Sequence, residues 1–521
     1  MPDRNFNLYH HFQRQFTAHA DDELLCTDEG RSYSYADIDQ ESARLASFLR
    51  DLGVMPGARI SVQVAKSPQA LTLYLACLRA GLVFHPLNPG YRPAELEYFL
   101  GDAEPAVVIC DPADESLVQP LATAAGVQHL FTLDRLGQGS LADAARDASA
   151  AYTTVPRGPD DLAALLYSSG TTGIPKGVML THQNLLSNTR SLVRAWEFAD
   201  TDRLLHALPI FHVHGLFVAL GCVLLSGASM RWLAAYSAQD AVHFLPECTV
   251  MMGVPTYYTR LLAEPGFTAD ICSNVRLFVS GSAPLLQETF SEFEARTRHR
   301  ILERYGMTET NMNASNPLHG VRKPGSVGRA LPGVELRVTN DDGEPMPTGE
   351  IGNLQVRGPN VFIGYWRMPE KTAEDFTADG YFNTGDQALI DDDGYVAIVG
   401  RARDIVITGG LNVYPKEIEL FVDDLPGVRE SAVIGVPHAD FGEGVVAVVV
   451  CEPRSQLDEQ DIIGSAKDCL AGYKVPKRVI FVEELPRNAM AKVQKSLLRE
   501  NYKDLFAQAT ARVTRFGSDT P

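Results

Sequence analysis

Eleven consecutive residues, Tyr167-Ser168-Ser169-Gly170-Thr171-Thr172-Gly173-Ile174-Pro175-Lys176-Gly177, carry four aliphatic hydroxyls, three glycines and one lysine. The glycines and Pro175 rule out a regular helix. Glycine lets backbone N–H groups turn towards one point, the hydroxyls add donors, and Lys176 adds a positive charge. That is the chemistry of a phosphate cradle. The apolar run Leu162-Ala163-Ala164-Leu165-Leu166 reads as a buried strand, so the segment leaves a sheet at its carboxyl end. It is not a Walker A loop, which counted from Gly170 needs glycine where this chain has Pro175. A flexible Ser/Gly turn is the alternative that composition leaves open.

Further segments bring carboxylates beside groups able to bind a nucleotide. In Tyr305-Gly306-Met307-Thr308-Glu309-Thr310 an aromatic ring is followed by a turn-forming glycine, a hydroxyl and a carboxylate. Such a set could stack a base and hold a metal beside phosphates. The same residues also suit a strand-to-helix turn with Thr308 as its cap. Asn383-Thr384-Gly385-Asp386 reads as a tight turn that offers its carboxylate to ribose hydroxyls or to its own backbone. His212, between Phe211 and Val213, is by itself either a site residue or a structural histidine beside an apolar strand. Arg260 stands four residues after Thr256, on the same helix face, either turned inward or solvated in the ordinary way.

The elements that must position these groups alternate. Strand patterns at Ile60-Ser61-Val62-Gln63-Val64, Ala106 to Cys110, Val250-Met251-Met252 and Leu277 to Ser280 are interleaved with helical ones at Gln69 to Ala80, Pro93 to Leu100 and Thr256 to Ala263. This alternation implies α/β architecture with largely parallel sheets. From about Gly333 to Val399 the texture becomes short strands with turn signals at Asn340-Asp341-Asp342-Gly343 and Asp391-Asp392-Asp393-Gly394. A polar hinge, Arg401-Ala402-Arg403-Asp404, precedes about 120 residues with their own periodicity, so a domain boundary is expected at 400–404.

A chain of 521 residues exceeds a single core, and 45% hydrophobic with 21% charged residues describes a soluble globular protein. The balance of 46 basic against 65 acidic residues, a net charge of −19, argues against nucleic-acid or anionic-membrane partners. The eight cysteines stand singly, with no CxxC spacing, as expected of reduced thiols. Neither a signal peptide nor a membrane-spanning apolar stretch is visible, so a cytoplasmic location is expected.

Together and in order, these segments resemble the adenylate-forming superfamily of acyl-CoA synthetases, adenylation domains and luciferases over nearly the whole chain. The matching positions are the loop at 167–177, Tyr-Gly-x-Thr-Glu at 305–309, Thr-Gly-Asp at 384–386, Gly400-Arg401, and a lysine in Pro486-Arg487-Asn488-Ala489-Met490-Ala491-Lys492. The resemblance implies an α/β fold with a large N-terminal domain, residues 1–400, of α/β subdomains plus a β-rich subdomain. A small mobile α+β domain, residues 401–521, would carry the catalytic lysine. It further implies that Ser168, Ser169, Gly170, Thr171, Thr172, Gly173 and Lys176 contact the phosphates of ATP. Tyr305 would stack on adenine, with Glu303, Gly306, Met307, Thr308, Ser282, Ala283 and Pro284 completing the nucleotide site. Asp386 and Arg401 would hold the ribose hydroxyls, and Glu309 with Thr172 would hold Mg²⁺. Lys492 would bridge the acyl carboxylate and the α-phosphate, which makes Lys492, Thr172 and Glu309 the catalytic set. Between half-reactions the small domain would turn about Arg403, where relatives more often have aspartate or lysine. Gly409, Gly410 and Leu411 would then line the pantetheine path of CoA, gated by His212. Further departures are Ser282, where many relatives have glycine, and Ala491, where glycine usually precedes the lysine.

Narrower strings resemble the malonyl-CoA synthetases: His206 to Phe217, Met252 to Leu262, Ser280-Gly281-Ser282-Ala283-Pro284-Leu285, and Glu303 to Asn313. In that subfamily Arg260 would hold the distal carboxylate of malonate, with Ser280, Ser282, His212 and Met307 shaping the pocket. A fatty-acyl enzyme would not place a guanidinium there, since an unpaired buried charge is costly. Val213 replaces a threonine of relatives, which leaves methylmalonate or another short diacid open. An adenylation module loading a carrier protein and a silent nucleotide or acyl-CoA sensor are the alternatives. The need for a free ammonium at Lys492 also makes a lysine acyltransferase or deacylase a candidate partner.

Overall fold

The computed structural model describes residues 5–168, 175–283, 285–401, 404–408, 411–438, 441–470, 472–488 and 492–506, the side chains of Leu411 and Asn412 excepted. Of the expected site residues, Ser169, Gly170, Thr171, Thr172, Gly173, Pro284, Arg403, Gly409 and Gly410 lie outside the described residues. The chain divides into two compact units. One comprises Met1–Gly281, Phe290–Leu336 and Val356–Phe382, and the other Ser282–Thr289, Arg337–Gln355 and Asn383–Pro521.

Two large sheets build the first unit. The six-stranded one runs in the order His129–Thr132, Val107–Cys110, Arg59–Gln63, Val83–Pro86, Leu162–Ser168, Lys176–Thr181. All its pairings are parallel except the last, where Leu162–Ser168 meets Lys176–Thr181 antiparallel with Tyr167 opposite Gly177 and Ser168 opposite Lys176. The nine-stranded sheet is parallel at its centre, where Arg203–His206, Val250–Gly253, Leu277–Ser280 and Leu302–Met307 lie side by side. Of these, Val250–Gly253 and Leu277–Ser280 are buried at every residue, as strands covered on both faces must be. Site residues cluster where their carboxyl ends emerge, the usual place for ligands in parallel sheets.

Helix ends follow their local chemistry. The helix Pro93–Ala103 has proline in its first turn, and the Glu95 carboxylate accepts a hydrogen bond from the Arg92 backbone N–H at 2.8 Å. It runs three residues past the expected end at Leu100 and stops at Glu104, whose φ of 44° leaves the helical region.

Strands Glu335–Thr339, Gly352–Arg357, Phe382–Ile390 and Val396–Arg401 form the four-stranded sheet expected for the Gly333 to Val399 region. The second unit also holds a sheet centred on Gly442–Cys451, which pairs antiparallel with Val428–His438 and parallel with Arg478–Phe481. Alternate residues of Gly442–Cys451 feed two apolar clusters, Val445, Ala447 and Val449 on one face and Val446, Val448 and Val450 on the other.

Two sequence expectations need correction. Tyr305–Thr310 is not a strand-to-helix turn: the strand Leu302–Met307 returns through Thr308 to the antiparallel strand Asn311–Ser315 as a hairpin. Nor is Asn383–Asp386 a tight turn. It lies inside the strand Phe382–Ile390, and what read as turn chemistry is Gly385, whose φ of +71° bends the strand locally.

Candidate functional site

At the end of the strand Leu162–Ser168, the Ser168 hydroxyl donates a hydrogen bond to Glu309 Oε1 at 2.8 Å. Glu309 is buried, its backbone carbonyl accepts from Phe362 N–H at 2.8 Å, and the Tyr365 hydroxyl lies 3.5 Å from the same Oε1. Lys176, opposite Ser168 in the ladder, is also buried, with its ammonium 4.7 Å from the Tyr365 ring centroid and 4.0 Å from Asp375. The first unit therefore brings the Glu309 and Asp375 carboxylates, the Lys176 ammonium and the Ser168 and Tyr365 hydroxyls together at the two ends of the 169–174 segment.

Glu303 pairs with Ser280 across parallel strands, and its backbone carbonyl accepts from both N–H groups of Asn316, at 3.0 and 3.1 Å. Tyr305 faces Ala314 in the hairpin, with a register shift between Tyr305 and Gly306. Tyr305, Gly306, Met307 and Thr308 are all half-buried around that hairpin.

One residue of this region was overlooked in the sequence. Arg304 is 3% exposed, yet its Nε and Nη2 have no hydrogen-bond partner among the described residues. Burial pushes its pKa down to about 9, with Tyr258 acting the other way. At neutral pH it is still a cation, and an unpaired buried cation is costly unless a ligand pairs it. Its guanidinium lies against Gly281, where an added Cβ would fall 2.4 Å from the guanidinium carbon. The Ser280 hydroxyl, on the strand beside it, is fully buried and also has no partner among the described residues. The signal available in the sequence was two charges, Glu303 and Arg304, entering an apolar strand after Ile301 and Leu302. Ser282 follows with a φ of +71°, the left-handed region that glycine enters freely, which fits the glycine of relatives there.

Arg260 occupies the last turn of the helix Pro255–Ala263 and is exposed, whereas Tyr258, Leu261 and Leu262 are buried. It acts electrostatically on Tyr236 and Tyr257, whose rings stack 3.7 Å apart and whose hydroxyls burial holds above their usual pKa. His212 is half-buried, and its Nδ1 accepts from His214 N–H at 3.3 Å. Val213 beside it is buried. The loop 207–215 is tied down by His206, whose Nε2 donates to Gly215 O at 3.1 Å while Lys66 Nζ sits 2.8 Å from its Nδ1.

In the second unit Asp386 and Arg401 face each other across the ladder, Oδ1 to Nε at 2.7 Å, with the carboxylate 4% exposed. Arg401 Nη1 reaches Thr384 O at 3.5 Å. Lys492 is exposed, and its backbone N–H donates to Asn488 Oδ1 at 3.0 Å while its carbonyl accepts from Asn488 N–H at 3.0 Å. Arg487 and Val493 form an isolated antiparallel bridge outside that pair. Leu411 begins the short strand Leu411–Val413. Ala283 is half-buried. The structure thus joins Ser168 with Glu309, Ser280 with Glu303, Arg304 with Gly281, and Asp386 with Arg401.

Residues 12–366 match the AMP-binding enzyme family and residues 417–492 match the AMP-binding enzyme C-terminal domain. The chain is 35% identical to a malonate–CoA ligase of Arabidopsis thaliana, over 93% of this chain and 87% of that protein. It is 36% identical to a feruloyl-CoA synthase of an Amycolatopsis species, over 91% of this chain and 94% of the other. The solved structure of ATP-bound MatB from Rhodopseudomonas palustris superposes with a TM-score of 0.93 at 52% identity, over 96% of this chain and all of that one (100%).

Proposed function

The chain belongs to the AMP-binding enzyme family, and from that premise we propose that it is an AMP-forming malonate–CoA ligase. It converts malonate, ATP and CoA into malonyl-CoA, AMP and pyrophosphate through malonyl-adenylate. Family membership alone does not choose the acid, since a feruloyl-CoA synthase is as similar in sequence as a malonate–CoA ligase. The observation that carries the choice is the buried Arg304 guanidinium, whose Nε and Nη2 have no partner among the described residues. A second carboxylate on the substrate would take a charge-assisted pair from Arg304. Arg260 is a second cation available to that carboxylate, from the exposed turn of its helix.

In the first half-reaction a carboxylate oxygen of malonate attacks the α-phosphorus and the bond to pyrophosphate breaks. The attacking and attacked groups are both anions, so the protein's task is to position them and neutralise charge. Lys492 does this at the α-phosphate and acyl carboxylate, and Ser168 and Lys176 do it for the departing phosphates, with Thr171, Thr172 and the remaining loop donors. Asp386 and Arg401 hold the ribose, and Tyr305 takes the adenine. In the second half-reaction the CoA thiol loses its proton, its sulfur attacks the acyl carbon, and AMP leaves. The small domain, from the hinge at 400–404 onward, turns about Arg403 between the steps, and His212 with Gly409, Gly410 and Leu411 lines the thiol's path.

Among the described residues no group of three or more His, Cys, Asp or Glu side chains could cage a metal. The single buried Glu309 carboxylate suits Mg²⁺, which binds through one or two carboxylates with substrate phosphates and water. Glu309, with Thr172, would hold that ion, and when bound it would neutralise phosphate charge. No described helix is long and apolar enough to cross a membrane. A cytoplasmic location and control by acylation of the exposed Lys492 are further parts of this reading.

AMP release in the presence of CoA, measured against acetate, ferulate, malonate, methylmalonate and succinate, tests the assignment. Malonate should give the highest kcat/KM. Methylmalonate is the next candidate because Val213 makes its neighbourhood apolar. Preference for a monoacid would overturn the diacid reading.

A further inference from the structure

We infer that Tyr98 and Asp102, on one face of the helix Pro93–Ala103, are positioning residues that hold both ends of the phosphate-binding segment; the inference rests on the nucleotide role proposed for that segment. Tyr98 and Asp102 are four residues apart and so share a helix face. The Tyr98 hydroxyl donates to Pro175 O at 2.7 Å, fixing the residue just before Lys176. The Tyr167 hydroxyl donates to Asp102 Oδ2, fixing the residue just before Ser168. Each anchor is thus the immediate neighbour of a residue assigned to the phosphates.

Strand geometry turns these anchors into leverage. Successive side chains on a strand point to opposite faces. Tyr167 therefore faces the helix, packed 4.8 Å from the Phe99 ring and 6.1 Å from the Tyr98 ring, while Ser168 turns away towards Glu309. Burial, reinforced by Asp102, raises the Tyr167 pKa, so its hydroxyl remains a donor at any physiological pH. Trp366 ties the same helix to the strand Lys176–Thr181, its Nε1 donating to Asp102 O at 3.0 Å and its backbone N–H donating to Gly177 O at 2.7 Å. An added Cβ at Gly177 would fall 2.9 Å from Trp366 Cβ, so this packing has no slack. Four hydrogen bonds and a ring cluster therefore reinforce the Ser168–Lys176 ladder pair from outside the ladder.

The test uses Tyr98→Phe and Asp102→Asn in the full chain, with Asp102→Glu as the conservative variant and Glu97→Ala, on the exposed face of the same helix, as control. Calorimetric ATP affinity and steady-state constants are compared beside Tm. Loss of one such hydrogen bond should weaken ATP binding about five- to ten-fold, lower kcat for AMP release, and leave KM for malonate and CoA unchanged. Asp102→Glu should recover part of the loss, and Glu97→Ala should lose nothing. Folded variants with lowered Tm but wild-type ATP affinity would overturn the inference. ATP binding needs no acid, so it separates the two readings. Should the wild type release no AMP with any acid while Tyr98→Phe still weakens ATP binding, the ligase assignment fails and the brace stands.

Discussion

The Ser168 hydroxyl and the Glu309 carboxylate, 141 residues apart in sequence, meet at 2.8 Å. Ser168 ends a strand of the six-stranded sheet and Glu309 sits in the hairpin that closes the nine-stranded one, so this contact links the two sheets. Each partner also has chemical work in the proposed mechanism, the hydroxyl with phosphate and the carboxylate with the metal. The two must be separable by substitution. Ser168→Ala should cost about ten-fold in kcat/KM for ATP, the weight of one hydrogen bond to a charged group. Glu309→Gln should cost more, about 100-fold, and should raise the Mg²⁺ concentration needed for half-maximal rate. Equal losses with unchanged Mg²⁺ dependence would show that the pair is structural only. The check is AMP release titrated with Mg²⁺.

Arg304 and Arg260 differ in burial, and burial decides which should matter more. A carboxylate pairing with the exposed Arg260 competes with water, and such pairs are worth little. Pairing with Arg304 removes an existing penalty and adds a charge-assisted bond. Arg304→Met, which keeps the side-chain bulk, should lower kcat/KM for malonate about 100-fold while sparing turnover of acetate. Arg260→Ala should fall short of that loss. Parallel kinetics with malonate and acetate distinguish the two arginines, and equal losses with both acids would remove Arg304 from the acyl site.

Much of the fold and part of the site could be read from residue types. Continuous apolar runs marked the parallel strands at Val250–Gly253 and Leu277–Ser280 because both faces of those strands are covered. The phosphate, hairpin and ribose motifs declared the family through their order. Arg304 stayed hidden because a charged letter inside a strand does not say whether it faces solvent or core, and its neighbours Tyr305 and Glu309 already accounted for the string. Arg260 shows the same difficulty in a helix: it shares the Thr256 face as spacing requires, but only packing reveals that Tyr258, Leu261 and Leu262 take the buried side. Gly385 looked like a turn because a positive φ is commonest in turns, and only the sheet context makes it a bend within a strand. The brace from Tyr98 to Pro175 spans 77 residues and has no local signature.

Four buried histidines make the first unit sensitive to acid. His85, His182, His206 and His214 are each no more than 1% exposed. Burial is the largest cause of depressed pKa at all four, to about 3 for His85 and His182 and well below the usual value for His206 and His214. The unfolded chain binds these protons near pH 6.5 whereas the folded chain does not, so their stabilising contribution is full above pH 6.5 and is lost as pH falls towards 3. Each histidine adds a slope of about 1.4 kcal/mol per pH unit in that window. His85→Gln, which can keep a bond to Ser61, should reduce the slope of unfolding free energy against pH. Denaturant titrations from pH 7 to pH 4 measure it, and an unchanged slope would place the acid sensitivity elsewhere.

Lys492 separates the two half-reactions. Its backbone is tied to Asn488 by two reciprocal hydrogen bonds, which replacing the lysine side chain leaves intact. The ammonium is needed where two anions meet in adenylation, but thioester formation starts from an adenylate in which that charge is already spent. Lys492→Ala should therefore reduce malonate-dependent ATP–pyrophosphate exchange at least 1,000-fold, about the weight of a group that stabilises transition-state charge. It should leave malonyl-CoA formation from supplied malonyl-adenylate within about three-fold of wild type, since no transition-state contact of that step is removed. Asn488→Ala should act more mildly and on exchange alone, because it removes a hydrogen bond to the Lys492 backbone without removing the charge. Loss of both half-reactions in Lys492→Ala with an unchanged Tm would mean that the lysine also serves the thiol attack.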